Sequence, residues 1–428
     1  MKKDLLHTPE GVRDIYNTEC ARKLVLENRL HEVCENYGYN DIQTPSLEFF
    51  DVFSKERGSV PSNELFKLFD RYGNTLVLRP DMTPSIARTA AKYFSEDQMP
   101  VRLCYEGNTF INVSKYYQGK LKENTTIGAE LIGDDSIDAD YEIISMVIDC
   151  MKNAGLKEFQ VEIGNVMFFN GLLSEAGISG KDEETLVNLI QEKNYFGVEE
   201  FLKSLNIDAK ISDVLMELPQ MFGSVDVLKK ARELTSNNLS LAAIDRLLNL
   251  YELLKITGYD RYISFDLGTL SSHAYYTGII FRAYTFGTGE PVINGGRYDK
   301  LISQFGCDKA SIGFSITVDS LMAAITRQNL TIPVSTNGAL IVYRRNELNQ
   351  SIMLSSDLRN LQLHVSTIVY QESRTEEEYL AYAKNSRLEY VILLDHEMSD
   401  KDEVTVLSVK DNQKYTITWD QIKGGKLS

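Results

Sequence analysis

The chain has 428 residues, 43% hydrophobic and 25% charged, the profile of a folded, water-soluble protein long enough for two or three domains with cores of their own. Its formal net charge of -16 opposes association with a polyanion such as a nucleic acid, where Lys and Arg must neutralise phosphates, although a net charge does not describe a local patch. Cys20, Cys34, Cys104, Cys150 and Cys307 are scattered, with no Cys-x-x-Cys pair, and the five histidines are equally dispersed, so reduced thiols and no metal or redox cluster are expected. The start lacks an apolar signal region and no run approaches the roughly 18 apolar residues of a membrane span, which makes the cytoplasm the expected location.

Residues 19 to 37 predict an amphipathic helix, with Leu26, Leu30, Val33, Cys34 and Tyr37 at helical spacing, and Gly38 ends it. The segment 40–48 is extended around Pro45, which cannot donate to a ladder and so belongs at an edge or interface. Residues 65–70 and 75–78 form a hairpin, and 84–94 reads as a helix with Pro84 in its first turn. Residues 101–110 and 125–132 make an antiparallel pair, joined by a polar loop carrying Lys115, Lys120 and Lys122. A helix from about Tyr141 to Ala154 and a strand over 159–163 follow, then a mostly helical insertion over 164–258. Strand patterning resumes at 262–266 and 278–284.

A linker around 329–337 precedes a separate module. In it, 339–343, 364–370, 390–394, 404–409 and 415–419 read as strands, and 348–361 and 376–385 as helices, the alternation of a small α/β domain. Two domains are expected, 1–328 and 338–428.

Four segments stand in a telling order: Thr8-Pro9-Glu10-Gly11-Val12-Arg13-Asp14, Leu78-Arg79-Pro80-Asp81-Met82-Thr83, Ala274-Tyr275-Tyr276-Thr277-Gly278 and Asn294-Gly295-Gly296-Arg297-Tyr298-Asp299. Together they resemble the catalytic core of the histidyl-tRNA synthetases over roughly residues 1 to 325. The resemblance implies an α+β fold, a class II synthetase-like antiparallel sheet core with helices, followed by a small C-terminal α/β domain in the place of the anticodon-binding domain. It also implies that residues 26–47 belong to a dimer-forming motif.

The resemblance implies the site as well. A free amino acid needs a carboxylate for its ammonium group, and histidine needs a polar partner for its ring. In the family the ammonium partner is the acid of an Arg-Pro-Glu-Gly-Thr segment, which matches Asp81, with Thr83 beside it. The ring partner maps to Glu130, a glutamine four positions earlier maps to the shorter Thr126, and Tyr275 and Tyr276 match the paired tyrosines. Taken one at a time these residues also have structural readings, with Thr83 capping the helix at Pro84, Asp81 a solvated loop acid and the tyrosines core aromatics.

The arginines that hold ATP in the family are missing. Their positions carry Ile111, Ser271 and Ser320. Planar bidentate donors stabilise the charge moved in the transition state. Each charge-assisted bond is worth about 1.5 to 3 kcal/mol, so losing three costs roughly a thousandfold to a millionfold in rate if they add. Substitution by Lys120, Lys122 or Arg282 is the alternative. Gly295-Gly296 lacks the spacing of a phosphate loop and predicts a close backbone approach beside the pocket, with Arg297 and Asp299 structural.

An amino-acid pocket without ATP arginines is similar to the regulatory subunits of ATP phosphoribosyltransferase, synthetase paralogues that act in histidine biosynthesis. That resemblance implies no catalytic activity, no cofactor, no tRNA partner, and assembly with a short-form catalytic subunit that the chain activates and subjects to histidine feedback. A working histidyl-tRNA synthetase and a synthetase-like protein that binds another ligand are the alternatives.

Overall fold

The computed structural model describes residues 6–54, 60–112, 121–205, 207–269, 275–394 and 403–427. Leu26, Leu30 and Val33 form the apolar stripe of α1 (Asn17–Asn36), and all three are at most 4% exposed. The chain itself covers this stripe. Gly38, at φ +81°, takes the left-handed turn that releases the chain after α1. Next come β1 (Asn40–Asp41), β2 (Leu47–Phe49), β3 (Lys67–Phe69) and β4 (Thr75–Leu78), the last three forming a small antiparallel sheet in the order β2-β4-β3. Arg79 closes it. Its guanidinium donates to the Thr44 carbonyl at 2.6 Å and the Asn108 carbonyl at 2.9 Å.

The helix α2 (Thr83–Tyr93) leads to β5 (Val101–Phe110) and β6 (Glu123–Ile132), the paired strands of the central sheet. α3 (Ile137–Asn153) starts four residues before the sequence expectation because Ser136 caps it, its hydroxyl accepting from the Ala139 amide at 3.3 Å. β7 (Phe159–Asn165) follows, then a helical region of α4 (Val166–Ala176), α5 (Lys181–Gln191), α6 (Tyr195–Ser204) and α7 (Ala209–Glu217). After the short β8 (Phe222–Gly223) come α8 (Asp226–Leu234) and α9 (Asn238–Ile256). The chain then returns to the sheet through β9 (Ile263–Asp266), β10 (Ile279–Thr285), β11 (Ile293–Arg297) and β12 (Ser311–Thr317), before α10 (Val318–Arg327).

Among the described residues the large sheet has nine strands in the order β1-β5-β6-β12-β11-β10-β7-β9-β8, antiparallel except for the β1–β5 and β7–β9 pairs. Its register lays out one face in rows. Glu162, Arg282, Asn294, Ser315, Gly128 and Tyr105 align across β7, β10, β11, β12, β6 and β5. Two residues along, on the same face because side chains alternate, the row is Gly164, Ile280, Gly296, Gly313, Glu130 and Leu103.

The chain divides into two units, Met1–Asp14 with Leu26–Thr331, and Ile15–Val25 with Ile332–Ser428. The second contains β13 (Gly338–Tyr343), α11 (Leu348–Asn360), β14 (His364–Val369), α12 (Glu376–Asn385), β15 (Tyr390–Leu394), β16 (Glu403–Ser408), β17 (Lys414–Thr418) and α13 (Trp419–Lys423). Its sheet runs β14-β13-β15-β16-β17, parallel in the first three strands and antiparallel in the rest. Leu354 and Leu358 of α11 and Trp419 and Ile422 of α13 pack in one buried cluster, and Tyr379 and Ala383 of α12 in another. Trp419, expected at the end of a strand, instead opens α13, because Thr418 and Gln421 form a reciprocal capping box. Among the described residues no helix is long and apolar enough to cross a membrane.

Candidate functional site

The middle of these two rows, Arg282, Asn294 and Ser315 in one and Gly296, Gly313 and Glu130 in the other, floors a cavity of about 640 Å³. Asp81, Thr83, Ile111, Glu130, Tyr275 and Tyr276 all line it, together with Arg282, Asn294, Gly296, Tyr298, Gly313 and Ser315. Residues more than 190 positions apart in sequence are thus brought around one space. Thr126 is not among the lining residues: it sits one row beyond Gly128, where its hydroxyl bonds that of Thr109 at 3.0 Å. Ser271 lies outside the described residues.

Glu130 is the chemical centre. It is 1% exposed, accepts from the Thr83 hydroxyl at 2.8 Å and from the Tyr298 phenol at 2.5 Å, and its pKa is pushed up to about 8. Burial is the main cause, strengthened by the nearby Asp81 charge and opposed by the hydrogen bonds. At neutral pH its carboxyl group therefore holds a proton for most of the time. A Cβ on Gly313 would overlap the Glu130 carboxylate, so the residue facing it on β12 has to be glycine. A Cβ on Gly296 would meet the Tyr276 ring, 2.7 Å away, which confines that ring to the cavity wall.

Thr83 is not a cap. It is the first residue of α2 with its hydroxyl turned to Glu130, and just before the helix Asp81 accepts the Met82 amide at 2.7 Å. The second oxygen of Asp81 accepts from Tyr275 at 3.5 Å. The Tyr275 ring meets Tyr276 at 4.9 Å between centroids and Tyr298 edge-on at 6.2 Å, so three tyrosines wall one side. Burial raises the phenols of all three. Sequence reasoning gives Tyr298 no role. Its place in the Asn294–Asp299 motif is the only signal that could have found it.

Arg297 and Asp299 of the same segment are structural. The Arg297 guanidinium, 4% exposed, holds the fully buried Asp140 at 2.6 Å, and Arg246 grips the other oxygen of Asp140 at 2.5 Å. Asp299 accepts from the Thr277 hydroxyl and the Ser311 amide, both at 2.9 Å. The segment Thr8–Asp14 meets the β5–β6 hairpin where the Lys122 amide donates to the Gly11 carbonyl at 2.7 Å.

Residues 11–321 match the histidyl-tRNA synthetase family. The ATP phosphoribosyltransferase regulatory subunit of Ruminiclostridium cellulolyticum is 37% identical over 412 residues, covering 96% of this chain and 97% of that protein. The regulatory subunit of Acetivibrio thermocellus is 39% identical over 84% of this chain and 86% of its own length. This chain belongs to the ATP phosphoribosyltransferase regulatory subunit family. A solved structure described as an ATP phosphoribosyltransferase regulatory subunit/histidyl-tRNA synthetase from Bacillus halodurans C superposes with a TM-score of 0.80 at 32% identity, over 92% of this chain and 99% of that one. The fold is therefore the class II synthetase-like α+β fold.

Within this regulatory-subunit frame, two of the positions where the synthetase resemblance expects ATP arginines can be placed. Ile111 presents an apolar side chain to the cavity. Ser320 stands half-buried in the first turn of α10 beside Asp319, whose carboxylate accepts the Thr125 amide at 2.8 Å. Neither side chain carries a charge, and the third position is Ser271. Arg282 is the one arginine lining the cavity among the described residues.

Away from the cavity, His31, Asp41 and Cys104 bring ligand-type atoms within 4.8 Å of one another, a grouping invisible in sequence because it joins α1, β1 and β5. His31 already bonds Asp41 at 2.7 Å, which satisfies both groups without an ion.

Proposed function

We propose that this chain is a non-catalytic regulatory subunit in the cytoplasm, which assembles with a short-form ATP phosphoribosyltransferase, activates it in the first step of histidine biosynthesis and mediates histidine feedback through the cavity on its central sheet. The observation that carries the reading is the composition of that cavity. Asp81, Thr83, Glu130 and the tyrosines surround it while Ile111 lines it where an ATP-binding arginine would stand. Such a wall suits an amino acid and offers little to a triphosphate.

Asp81 takes the ammonium group of histidine, and Glu130, held by Thr83 and Tyr298, takes its ring. With Glu130 near pKa 8 and imidazole near 6.5, the pair shares a single proton around neutral pH, so the buried acid and the ring form a hydrogen bond without a second charge.

The reading includes a homodimer. The resemblance puts the contact within residues 26–47, of which Leu26 and Leu30 are fully buried within the chain. The surface that needs a partner is instead one face of the small sheet, where Leu47, Phe49 and Leu68 are 48%, 57% and 43% exposed and stand in register with Leu78 and Leu76. A second copy is proposed to cover this face.

The test is pyrophosphate exchange with histidine, run beside calorimetric titration. The purified chain is expected to exchange no pyrophosphate into ATP and to charge no tRNA. Histidine binding, measured with and without the catalytic subunit, should weaken by about 2 to 5 kcal/mol in Asp81→Ala. Aminoacylation at an ordinary synthetase rate would refute the reading.

A further inference from the structure

An amino acid brings three groups to a pocket, and Asp81 and Glu130 account for two of them. Its carboxylate needs a cation, and neither Asp81 nor Glu130 supplies one. Arg282 on β10 lines the cavity floor and comes from a different strand. Asn294 and Ser315 follow it in the same row of the sheet and line the same floor. None of the ion pairs within 4.0 Å among the described residues involves Arg282.

We propose that Arg282 is the carboxylate anchor of this pocket, with Asn294 and Ser315 as the neutral groups that complete the carboxylate's hydrogen bonds. This rests on the reading of the cavity as an amino-acid site and adds to it the residue that distinguishes an amino acid from its decarboxylated or reduced analogues. Three strand spacings separate β10 from β6, the strand of Glu130, about 14 Å across the sheet, and the rows of Arg282 and Glu130 are two residues, about 7 Å, apart along it. A long arginine side chain, a ligand several ångströms in length and a glutamate side chain together bridge that gap. Glu162 on β7, directly across the ladder from Arg282, is a positioning residue. Its carboxylate, fixed by the Thr269 hydroxyl at 3.2 Å, favours a guanidinium held along the row. Charge decides between ligand classes. A zwitterion brings no net charge, whereas a polyphosphate would bring several negative charges to a cavity lined by the carboxyl groups of Asp81, Glu130 and Glu290 and, among the described residues, by a single arginine.

The test compares L-histidine with L-histidinol, which keeps the ammonium group and ring and replaces the carboxylate with an alcohol. Both are titrated by calorimetry into the full chain, alone and with the catalytic subunit, for the wild type, Arg282→Gln, Arg282→Lys and Asp81→Asn. Arg282→Gln should lose about 10- to 100-fold in histidine affinity while its histidinol affinity stays within about threefold. Arg282→Lys should recover part of the loss. Retained histidinol binding also shows that the variant is folded. Undiminished histidine binding by Arg282→Gln, with loss of both ligands in Asp81→Asn, would overturn the role of Arg282 and leave the pocket reading standing. Failure of the wild type to bind either ligand in either setting would overturn both.

Discussion

The Glu130 carboxyl group is buried among hydroxyl donors, and its raised pKa sets how the site responds to pH. Between about 6.5 and about 8, the free imidazole and the empty pocket together hold one proton, and so does the complex. Above 8 binding must take up a proton, and below 6.5 it must release one. Histidine affinity should therefore be greatest in this window and fall on both sides, and calorimetry across pH 5.5 to 9 would reveal a flat profile if Glu130 were not the ring partner. The same group affects stability. Its pKa in the folded chain lies above the unfolded value near 4.3, so the native state binds more protons between the two. The contribution is fully present below about 4.3 and is lost as pH rises through 8, by at most about 1.4 kcal/mol per pH unit. Glu130→Gln has no such titration. Its melting temperature should gain on the wild type as pH rises from 5 to 8, and parallel curves would show that the acid is not held protonated. Asp81, Thr83, Glu130 and the tyrosine pair are legible in sequence only through their motif order, since nothing local distinguishes Glu130 from any acid on a strand. Thr126 cannot be placed that way, because row position in a sheet decides whether a residue meets the cavity.

At the scale of elements, strong periodicity is readable and weak periodicity is not. α1, α9, β5 and β6 carry regular apolar patterns and lie close to where those patterns put them. β11 is hidden by Gly295 and Gly296, which depress strand propensity yet allow the Tyr276 ring and the cavity to approach the backbone. The start of α3 and the helix α13 escape apolar spacing for a common reason. Their caps, Ser136 and the Thr418–Gln421 box, are local signals that a search for periodicity passes over. Two substitutions probe the packing. Gly313→Ala should destabilise by about 1 to 3 kcal/mol, since its methyl group has the Glu130 carboxylate and the Ala129 carbonyl in its way. Arg297→Met leaves buried Asp140 with Arg246 as its remaining cation and should cost about 3 to 5 kcal/mol. Denaturant titration reads both, and unchanged midpoints would mean that the sheet relaxes around these sites.

At the scale of the molecule, the family frame and the cavity lead to one account, in which a synthetase-like core senses an amino acid for another enzyme. Assembly is part of it. Phe49→Asp places a charge in the exposed apolar face of the small sheet and should convert the proposed dimer to monomer in sedimentation, without lowering the melting temperature of the fold by more than a few degrees. A wild type that sediments only as monomer, or a Phe49→Asp variant that still dimerises, would move the contact elsewhere. The most direct measurement of the central claim is ATP phosphoribosyltransferase activity of the short catalytic subunit, assayed alone, with this chain, and with this chain plus histidine. The account predicts that the chain raises the activity, that histidine lowers it again, and that Asp81→Ala and Glu130→Ala blunt the effect of histidine while preserving activation. Activity indifferent to the chain, or a histidine response unchanged in both variants, would contradict it.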